Sequence, residues 1–246
     1  MTNDKLLPEM VEIWQQTLNW QPTVQQQTQF QRLYELILEG NSQLNLTRIT
    51  DPQEFWEKHL WDSLRGIASL LSANFYSASL ALIDIGTGAG FPGVPVAITV
   101  PNCTITLLDS TRKKIIFLDN ILSKLALTNA KTLVGRAEEI GQHPQHRQAY
   151  DIALIRAVGA ASVCAEYTLP LLKQGGLAII YRGNWTKEET TDLQNAVNQL
   201  GGVIELIEKF TTPLSVSIRH CLYVRKVANT ALNFPRAVGV PSQKPL

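Results

Sequence analysis

The 246-residue sequence has few cysteines and no excess of charge of one sign. Its three cysteines, Cys103, Cys164 and Cys221, lie far apart and form no CxxC pair, which excludes a disulfide framework and a zinc site of the usual spacing. We therefore expect reduced core thiols and no metal. Lysine and arginine total 22 against 21 acidic residues, a net charge of +1. Without a global basic field, RNA binding has to come from a local patch or from shape.

Long apolar runs are also missing. No stretch approaches the roughly 20 apolar residues that span a bilayer, and the first residues, MTNDKLLPEM, lack the apolar segment of a secretion signal. Hydrophobic residues make up 45% and charged residues 17% of the chain, a balance typical of a folded protein and not of a disordered one. The composition predicts a cytoplasmic globular protein without a membrane partner.

One stretch, LALIDIGTGAGFPGVP at residues 80–95, combines a strand-like apolar run with glycines at alternate positions. Gly86, Gly88 and Gly90 predict a tight turn between a buried strand and a helix, where positive φ and close approach to a ligand exclude a Cβ atom. A dinucleotide fingerprint has the spacing GxGxxG, and Phe91 occupies its third glycine position. The pattern DxGxGxG instead resembles the first motif of class I S-adenosylmethionine-dependent methyltransferases. A glycine turn of purely structural importance is the alternative.

Predicted strands and helices alternate through the middle of the chain, which favours a doubly wound α/β sheet. The strands are expected at residues 80–85, 103–108, 133–134, 150–155, 177–181, 203–206 and 221–225. The second strand leads to Asp109, 23 positions after Gly86, where a carboxylate accepts hydrogen bonds from the ribose hydroxyls of a cofactor. Both NAD and S-adenosylmethionine carry such a ribose, so Asp109 supports an adenosine cofactor without choosing between them.

The expected organisation has three parts. A helical N-terminal extension covers residues 1–75, and a Rossmann-like core covers residues 76–226. The last part, residues 227–246, contains three prolines and is expected to be an extended, solvent-exposed tail.

Two helices are expected in the N-terminal extension. Apolar residues at helical spacing lead to Gly40, which is typical of a helix end, and Asp51 followed by proline predicts the start of a second helix. In that second helix His59 and Asp62 are three positions apart and therefore share a face. They form either a functional pair or a local hydrogen bond.

A third helix, expected from Thr111 to Leu125, begins with the basic residues Arg112, Lys113 and Lys114. Cations at a helix N-terminus oppose the helix dipole by roughly a few tenths of a kcal/mol. This cost suggests that the basic turn contacts a phosphate, with a solvated charged face as an equally good alternative.

Several segments together resemble one family, the bacterial 16S rRNA guanine-N7 methyltransferases called RsmG or GidB. The matching segments are Asn45-Leu46-Thr47, Asp51-Pro52, His59 with Asp62-Ser63, IDIGTGAGFPGVP, LLDSTRKKIIFL, GRAEE, IRAV, Arg219-His220 and the tail FPRAVGVPSQKPL. The resemblance implies a class I methyltransferase fold, with a Rossmann-like, mostly parallel seven-stranded sheet and an antiparallel last strand, behind the helical extension. It also implies S-adenosylmethionine as cofactor and a guanine in a decoding-region loop of the small ribosomal subunit as substrate. We expect a monomer.

The resemblance also assigns roles to individual residues. It implies that the cofactor contacts are Gly86, Gly88, Phe91, Asp109, Ser110, Thr111, Ala137, Glu138 and Arg156. Without the resemblance, Arg156 would be interpreted as a salt-bridged surface residue. Arg182 follows the fifth strand, where many members have lysine, and is a candidate for substrate positioning through guanine O6 or a phosphate. The candidate RNA contacts are Arg112, Lys113, Arg219 and His220, the last two with structural pairing as an equal alternative.

The implied chemistry needs little from acid–base residues. Guanine N7 carries an exposed lone pair, so its methylation requires no general base, and the sequence contains no obvious Ser-His-Asp or paired-carboxylate constellation. Catalysis is expected from holding N7 in line with the methyl group. The alternatives are a methyltransferase of a small molecule or protein, an NAD-dependent dehydrogenase, which Phe91 disfavours, and a module that binds an adenosine ligand without turnover.

Overall fold

The structure is a computed structural model and describes residues 6–71 and 79–246. In these residues seven strands form one sheet in the order β3-β2-β1-β4-β5-β7-β6. The strands are β1 (Ala81–Ile85), β2 (Thr104–Asp109), β3 (Ala130–Val134), β4 (Tyr150–Arg156), β5 (Leu172–Arg182), β6 (Gly202–Thr211) and β7 (Ile218–Lys226). Strand β7 runs antiparallel to β5 and β6, and the other neighbours pair in parallel. The predicted alternation and the closing antiparallel pair are confirmed.

Helices cover both faces of this sheet. They are α1 (Val11–Leu18), α2 (Val24–Leu44), α3 (Pro52–Phe55), α4 (Asp62–Arg65), α5 (Gly93–Thr99), α6 (Arg112–Lys124), α7 (Ala137–Gln142), α8 (Ala161–Thr168), α9 (Lys187–Leu200) and α10 (Val240–Gln243). A π-helical turn at Trp56–Trp61 joins α3 to α4, so residues 52–65 form one continuous helical segment. Asp51 begins it as predicted, because its carboxylate accepts hydrogen bonds from the N–H groups of Gln53 and Glu54.

The core has two layers, because alternate residues of each strand point to opposite faces of the sheet. Leu82 of β1 joins a cluster with α5, α6 and the N-terminal helices, whereas the next residue, Ile83, joins a cluster with α8 and α9. Trp14 and Trp56 belong to the first cluster and are almost completely buried. The N-terminal helices therefore share one core with the sheet. The predicted boundary between residues 75 and 76 lies outside the described residues.

The predicted end of the first long helix is wrong. Helix α2 continues past Gly40 to Leu44, and Asn45 ends it in the left-handed conformation. Gly40 is required for packing, because a Cβ atom there would overlap the ring of Phe117 in α6. The glycine is thus a point of close approach between two helices and not a cap.

The prediction of an extended, solvent-exposed tail at residues 227–246 agrees with the exposure of most of these residues, but the segment is not extended throughout and several of its residues are bound to the core. The tail contains the short helix α10, buries Phe234 and Pro241, and pairs Arg236 with the buried Glu166 of α8. Partners distant in sequence hold the tail against the core, so it follows a fixed path although much of it is exposed. Within residues 6–71 and 79–246, no helix combines the length and the apolar character needed to cross a membrane.

Candidate active site

The glycine turn follows β1 as predicted. Gly86, Gly88 and Gly90 have φ values of 68°, 60° and 100°, which side chains with a Cβ atom rarely adopt. A Cβ atom at Gly86 would lie 2.6 Å from Cγ2 of Val158, in the segment after β4. The turn therefore brings the backbone close to the ends of two neighbouring strands.

Asp84 ties this turn to the start of α5. Its Oδ2 accepts hydrogen bonds from the hydroxyl of Thr87 at 2.6 Å and from the N–H of Gly93 at 2.8 Å. The carboxyl group is fully buried, and this burial raises its pKa to about 6. Asp84 thus has a structural role inside the motif.

A first cleft of about 310 Å³ opens beside the glycine turn at the carboxyl ends of the strands. Its lining residues are Ile85, Gly86, Leu108, Asp109, Ser110, Gly135, Arg136, Ala137, Glu138, Val158, Tyr167 and Ser242. Asp109 accepts hydrogen bonds from the N–H of Gly88 at 3.0 Å and from the N–H of Thr111 at 2.8 Å. Each carboxylate oxygen has about two acceptor sites, so Asp109 retains capacity for hydroxyl donors of a ligand.

Glu138 is the second carboxylate of the first cleft, and its side chain is 1% exposed. Burial alone would raise its pKa, but hydrogen bonds from the N–H of Gly239 and from Arg136 outweigh burial and hold the pKa below its usual value. Its Oε1 accepts from Gly239 at 3.0 Å and from the Tyr167 hydroxyl at 3.1 Å. Among the described residues, Oε2 has no hydrogen-bond partner although it is buried. A buried acceptor of this kind requires a donor.

A second cleft of about 290 Å³ lies across the segment that follows β4. Its lining residues are Ile49, Glu57, Lys58, His59, Asp62, Arg156, Ala157, Thr212 and Arg219. Arg156 donates from Nη1 to Asp62 Oδ2 and to the carbonyl oxygen of Lys58, both at 3.0 Å. Because Arg156 and Ala157 line the second cleft and Val158 lines the first, this short segment separates the two.

His59 and Phe91 form a ring stack between the helical segment and the glycine turn, with centroids 4.3 Å apart. The Nε2 atom of His59 shares a hydrogen bond with the Thr47 hydroxyl at 2.8 Å. Burial, and after it the positive charges of Arg156 and Lys58, lower the pKa of His59 to about 3. His59 is therefore neutral at physiological pH.

His59 and Asp62 have different hydrogen-bond partners in the structure: His59 bonds to Thr47, and Asp62 bonds to Arg156. Their role as a functional pair stays a prediction. Both side chains nevertheless line the second cleft.

The sequence model of the family described as rRNA small subunit methyltransferase G, or GidB, matches residues 26–220, which is well over half of the chain. The chain belongs to this family. The ribosomal RNA small subunit methyltransferase G of Nostoc punctiforme is 84% identical over 246 residues, with both chains covered completely. The protein of the same name from Trichodesmium erythraeum is 61% identical, covering 99% of this chain and 96% of the relative.

Solved structures of distant proteins share the fold. A chain from Pyrococcus horikoshii described as a transferase aligns with a TM-score of 0.52 at 12% identity, covering 67% of this chain and 63% of that one. A second solved structure carries the description "Conversion of a Disulfide Bond into a Thioacetal Group during Echinomycin Biosynthesis". It aligns with a TM-score of 0.50 at 14% identity, covering 66% of this chain and 81% of that one. Together with the strand order, these likenesses confirm the predicted class I S-adenosylmethionine-dependent methyltransferase fold.

The residues predicted for this GidB family member divide between the two clefts. Gly86, Asp109, Ser110, Ala137 and Glu138 line the first cleft. Gly88 and Thr111 lie behind it and support Asp109. Phe91 is buried against His59, and Arg156 lines the second cleft, so neither belongs to the first cleft's lining. Their predicted cofactor contacts stay predictions.

The five basic candidates at the end of β5, on α6 and on β7 occupy different surroundings. Arg182 donates to the Gly159 carbonyl at 2.7 Å and to Glu189 at 3.0 Å. His220 is buried and shares a hydrogen bond with the Gly183 carbonyl at 2.7 Å, which is the structural alternative that the sequence left open. Arg219 is half-buried in the wall of the second cleft.

Arg112 and Lys113 are exposed at the start of α6, and only Thr111 separates them from Ser110 of the first cleft. Sequence reasoning did not predict three other polar residues of the first cleft, Arg136, Tyr167 and Ser242. Tyr167 lies in α8, for which no helix was predicted, and Ser242 lies in the tail that was expected to be exposed. Within the described residues, no group of histidine, cysteine and acidic side chains is arranged to hold a metal ion.

Proposed function

We propose that this protein transfers a methyl group from S-adenosylmethionine to N7 of a guanine in the 16S rRNA of the small ribosomal subunit. The observation that carries the proposal is the first cleft, where the glycine turn meets the carboxylates of Asp109 and Glu138 beyond the ends of β2 and β3. The relatives named ribosomal RNA small subunit methyltransferase G support the substrate class.

The first cleft fits an adenosine cofactor. Asp109 and the partnerless Oε2 of Glu138 are acceptors for the hydroxyl and amino donors of adenosine, and Gly86 leaves room where a side chain would collide with Val158. When bound, S-adenosylmethionine supplies an electrophilic methyl group on a positively charged sulfur. Asp109 and Glu138 would hold its adenosine part, and the two carboxylates favour a cationic ligand.

The hydrogen bonds of the glycine turn disfavour a dinucleotide. A pyrophosphate needs free N–H groups at such a turn. Here the N–H groups of Thr87, Gly88 and Gly90 donate to Leu108 O, to Asp109 Oδ2 and to Thr87 O, respectively. These donors are already used inside the protein, so the turn serves a ligand by shape and not by binding phosphate.

We assign the acceptor guanine to the second cleft. It lies beside the first cleft, and its wall contains three cations, Lys58, Arg156 and Arg219, against the two carboxylates of Glu57 and Asp62, which favours passage of an RNA phosphate. His59 is neutral there and provides no additional positive charge beside a base that becomes cationic on methylation. Arg156 then acts on the acceptor side, through its bond to Asp62, and Arg112 and Lys113 extend the RNA surface beyond the first cleft.

Arg182 is assigned a positioning role. Its bond to the Gly159 carbonyl fixes the loop that continues from the segment between the two clefts, and its bond to Glu189 fixes that loop to α9. Holding the two reactants in line supplies up to about 7–11 kcal/mol in ideal intramolecular reactions. A residue that sets the geometry of this loop therefore affects the rate more than the affinity for the cofactor.

The test uses purified protein, methyl-labelled S-adenosylmethionine and small ribosomal subunits from a strain that lacks this modification. Reduction and chain scission then locate N7-methylguanine in the rRNA. Label at a single guanine establishes donor, acceptor and atom together. Tight binding of S-adenosylmethionine without label in the rRNA would overturn the rRNA assignment and favour a small-molecule or protein substrate, and binding of NAD in its place would overturn the cofactor.

A matched pair of variants links the activity to the first cleft. Glu138→Gln removes the buried carboxylate, and we expect cofactor binding to weaken by about 10- to 150-fold, since a hydrogen bond to a charged group contributes about 1.5–3 kcal/mol. Glu139→Gln changes the exposed neighbour and should bind the cofactor like the natural protein. Equal affinities of the two variants would remove Glu138 from the site.

The partner is expected to be an assembled small subunit. A net charge of +1 gives little of the phosphate attraction that binding to naked RNA requires. Contacts with the proteins of the small subunit would supply the rest of the binding free energy. We further propose that the protein acts as a monomer in the cytoplasm, where ribosomal subunits are assembled.

A further inference from the structure

The end of the chain is fixed along the side of the first cleft. The Arg147 guanidinium donates to the carbonyl oxygens of Thr230 at 2.8 Å and of Phe234 at 2.7 Å. Gln142, the last residue of α7, donates to the carbonyl oxygen of Pro235 at 2.8 Å. Because α7 begins with the residues that line the first cleft, these bonds guide the C-terminal residues toward that cleft.

A buried ion pair anchors the chain one residue further on. The carboxylate of Glu166 in α8 is 0% exposed and accepts hydrogen bonds from three groups of Arg236. These are the backbone N–H at 2.8 Å, Nε at 2.9 Å and Nη2 at 2.6 Å. A fully buried carboxylate is stable only with such partners, so the position of Arg236 is determined by the core and not by the surface.

Beyond Arg236, the C-terminal segment contacts Glu138 directly through Gly239 and lies against Tyr167, which also binds Glu138. The N–H of Gly239 donates to Glu138 Oε1 at 3.0 Å, and the Tyr167 hydroxyl donates to the same oxygen at 3.1 Å. The Ser242 hydroxyl lies 3.1 Å from the Tyr167 hydroxyl and lines the first cleft. Oε1 of Glu138 is thus occupied by the protein, whereas Oε2 has no partner among the described residues.

We propose that the C-terminal segment, residues 234–242, is part of the cofactor site. It holds Glu138 so that Oε2 accepts a hydrogen bond from the cofactor, and its Ser242 hydroxyl contacts the cofactor directly. This inference rests on the proposed function. The region that matches the family model ends at residue 220, so this wall of the cleft lies outside it.

The experiment compares Ser242→Ala with Gln243→Ala, a change at an exposed neighbour that does not line the cleft. Titration calorimetry with S-adenosylmethionine should give a Kd raised about 3- to 10-fold for Ser242→Ala, which corresponds to one lost hydrogen bond. Gln243→Ala should bind like the natural protein. The melting temperature of Ser242→Ala should be unchanged, and its kcat on ribosomal subunits should recover at saturating cofactor.

Arg236→Gln tests the anchor and is expected to raise the Kd at least as much as Ser242→Ala. If Arg236→Gln does not fold, the Kd of the folded variant Ser242→Ala still tests whether the C-terminal segment belongs to the cofactor site. A natural protein that binds S-adenosylmethionine and methylates rRNA, together with equal Kd values for Ser242→Ala and Gln243→Ala, would overturn this inference alone. A natural protein that does not bind S-adenosylmethionine would overturn the proposed function and this inference together.

Discussion

Replacing Asp84 by asparagine should change how the stability of the protein depends on pH. Burial raises the pKa of Asp84 from 3.8 to about 6, and one pKa unit corresponds to about 1.4 kcal/mol. Ionised Asp84 therefore costs the folded state about 3 kcal/mol. Asparagine carries no charge and keeps one carbonyl oxygen, which suffices because Thr87 and Gly93 both donate to the single atom Oδ2.

The raised pKa of Asp84 determines whether the free energy of unfolding rises or falls with pH. Below the unfolded pKa the carboxyl group is protonated in both states and costs nothing. The folded state binds the proton of Asp84 more tightly than the unfolded state does. As the pH rises through about 6 this proton is lost, and the free energy of unfolding falls. The free energy of unfolding of the natural protein should thus fall by about 3 kcal/mol relative to Asp84→Asn between about pH 4 and about pH 7.

Urea unfolding at several pH values and constant ionic strength measures this difference. Asp192→Asn, a change at an exposed carboxylate of α9, serves as the control for loss of a negative charge without burial. Free energies of unfolding of the natural protein and Asp84→Asn that stay parallel across the whole range would refute the reasoning. Asp84 would then be stabilised in its ionised form within the glycine turn.

Three further outcomes are expected. Gly40→Ala should lower the free energy of unfolding by about 1–3 kcal/mol in urea, because its Cβ atom overlaps the ring of Phe117; an unchanged value would mean that α2 and α6 adjust freely. Leu33→Ala removes a fully buried side chain and should lower the same free energy by about 2–5 kcal/mol. Arg182→Ala should lower kcat on ribosomal subunits far more than it raises the cofactor Kd in calorimetry, and equal losses in both would contradict its positioning role.

Local sequence signals predicted the part of the site that one short stretch of chain builds. Gly86 and Asp109 were found because strand ends and a glycine turn have their own pattern, and the structure places both in the first cleft. The sequence does not predict helix α8, because all eight of its residues are buried and it therefore shows no alternation of polar and apolar faces at helical spacing. Tyr167, which lies in this helix, was therefore not predicted as a residue of the first cleft.

Local sequence patterns do not predict contacts between residues that are far apart in the sequence. The sequence predicts Arg156 directly after a strand, and the structure makes it the last residue of β4. Only the folded chain shows that its guanidinium binds Asp62, 94 positions earlier. Arg236 and Glu166 are 70 positions apart, and nothing near either residue indicates the pair. The tail was misjudged for this reason, since proline content reports local backbone preference and not the partners that hold a segment.

The shared core of the N-terminal helices and the sheet has a consequence for synthesis of the chain. Ribosomes make α2 before α5 and α6, yet Gln26 and Gln29 of α2 donate to the carbonyl oxygens of Ile98 and Leu125, at the ends of those later helices. Until those helices emerge, α2 can pack only against N-terminal residues such as Trp14 and Phe55, and its contacts with α5 and α6 are missing. The fold of the N-terminal third is therefore completed only when the middle of the protein has been made.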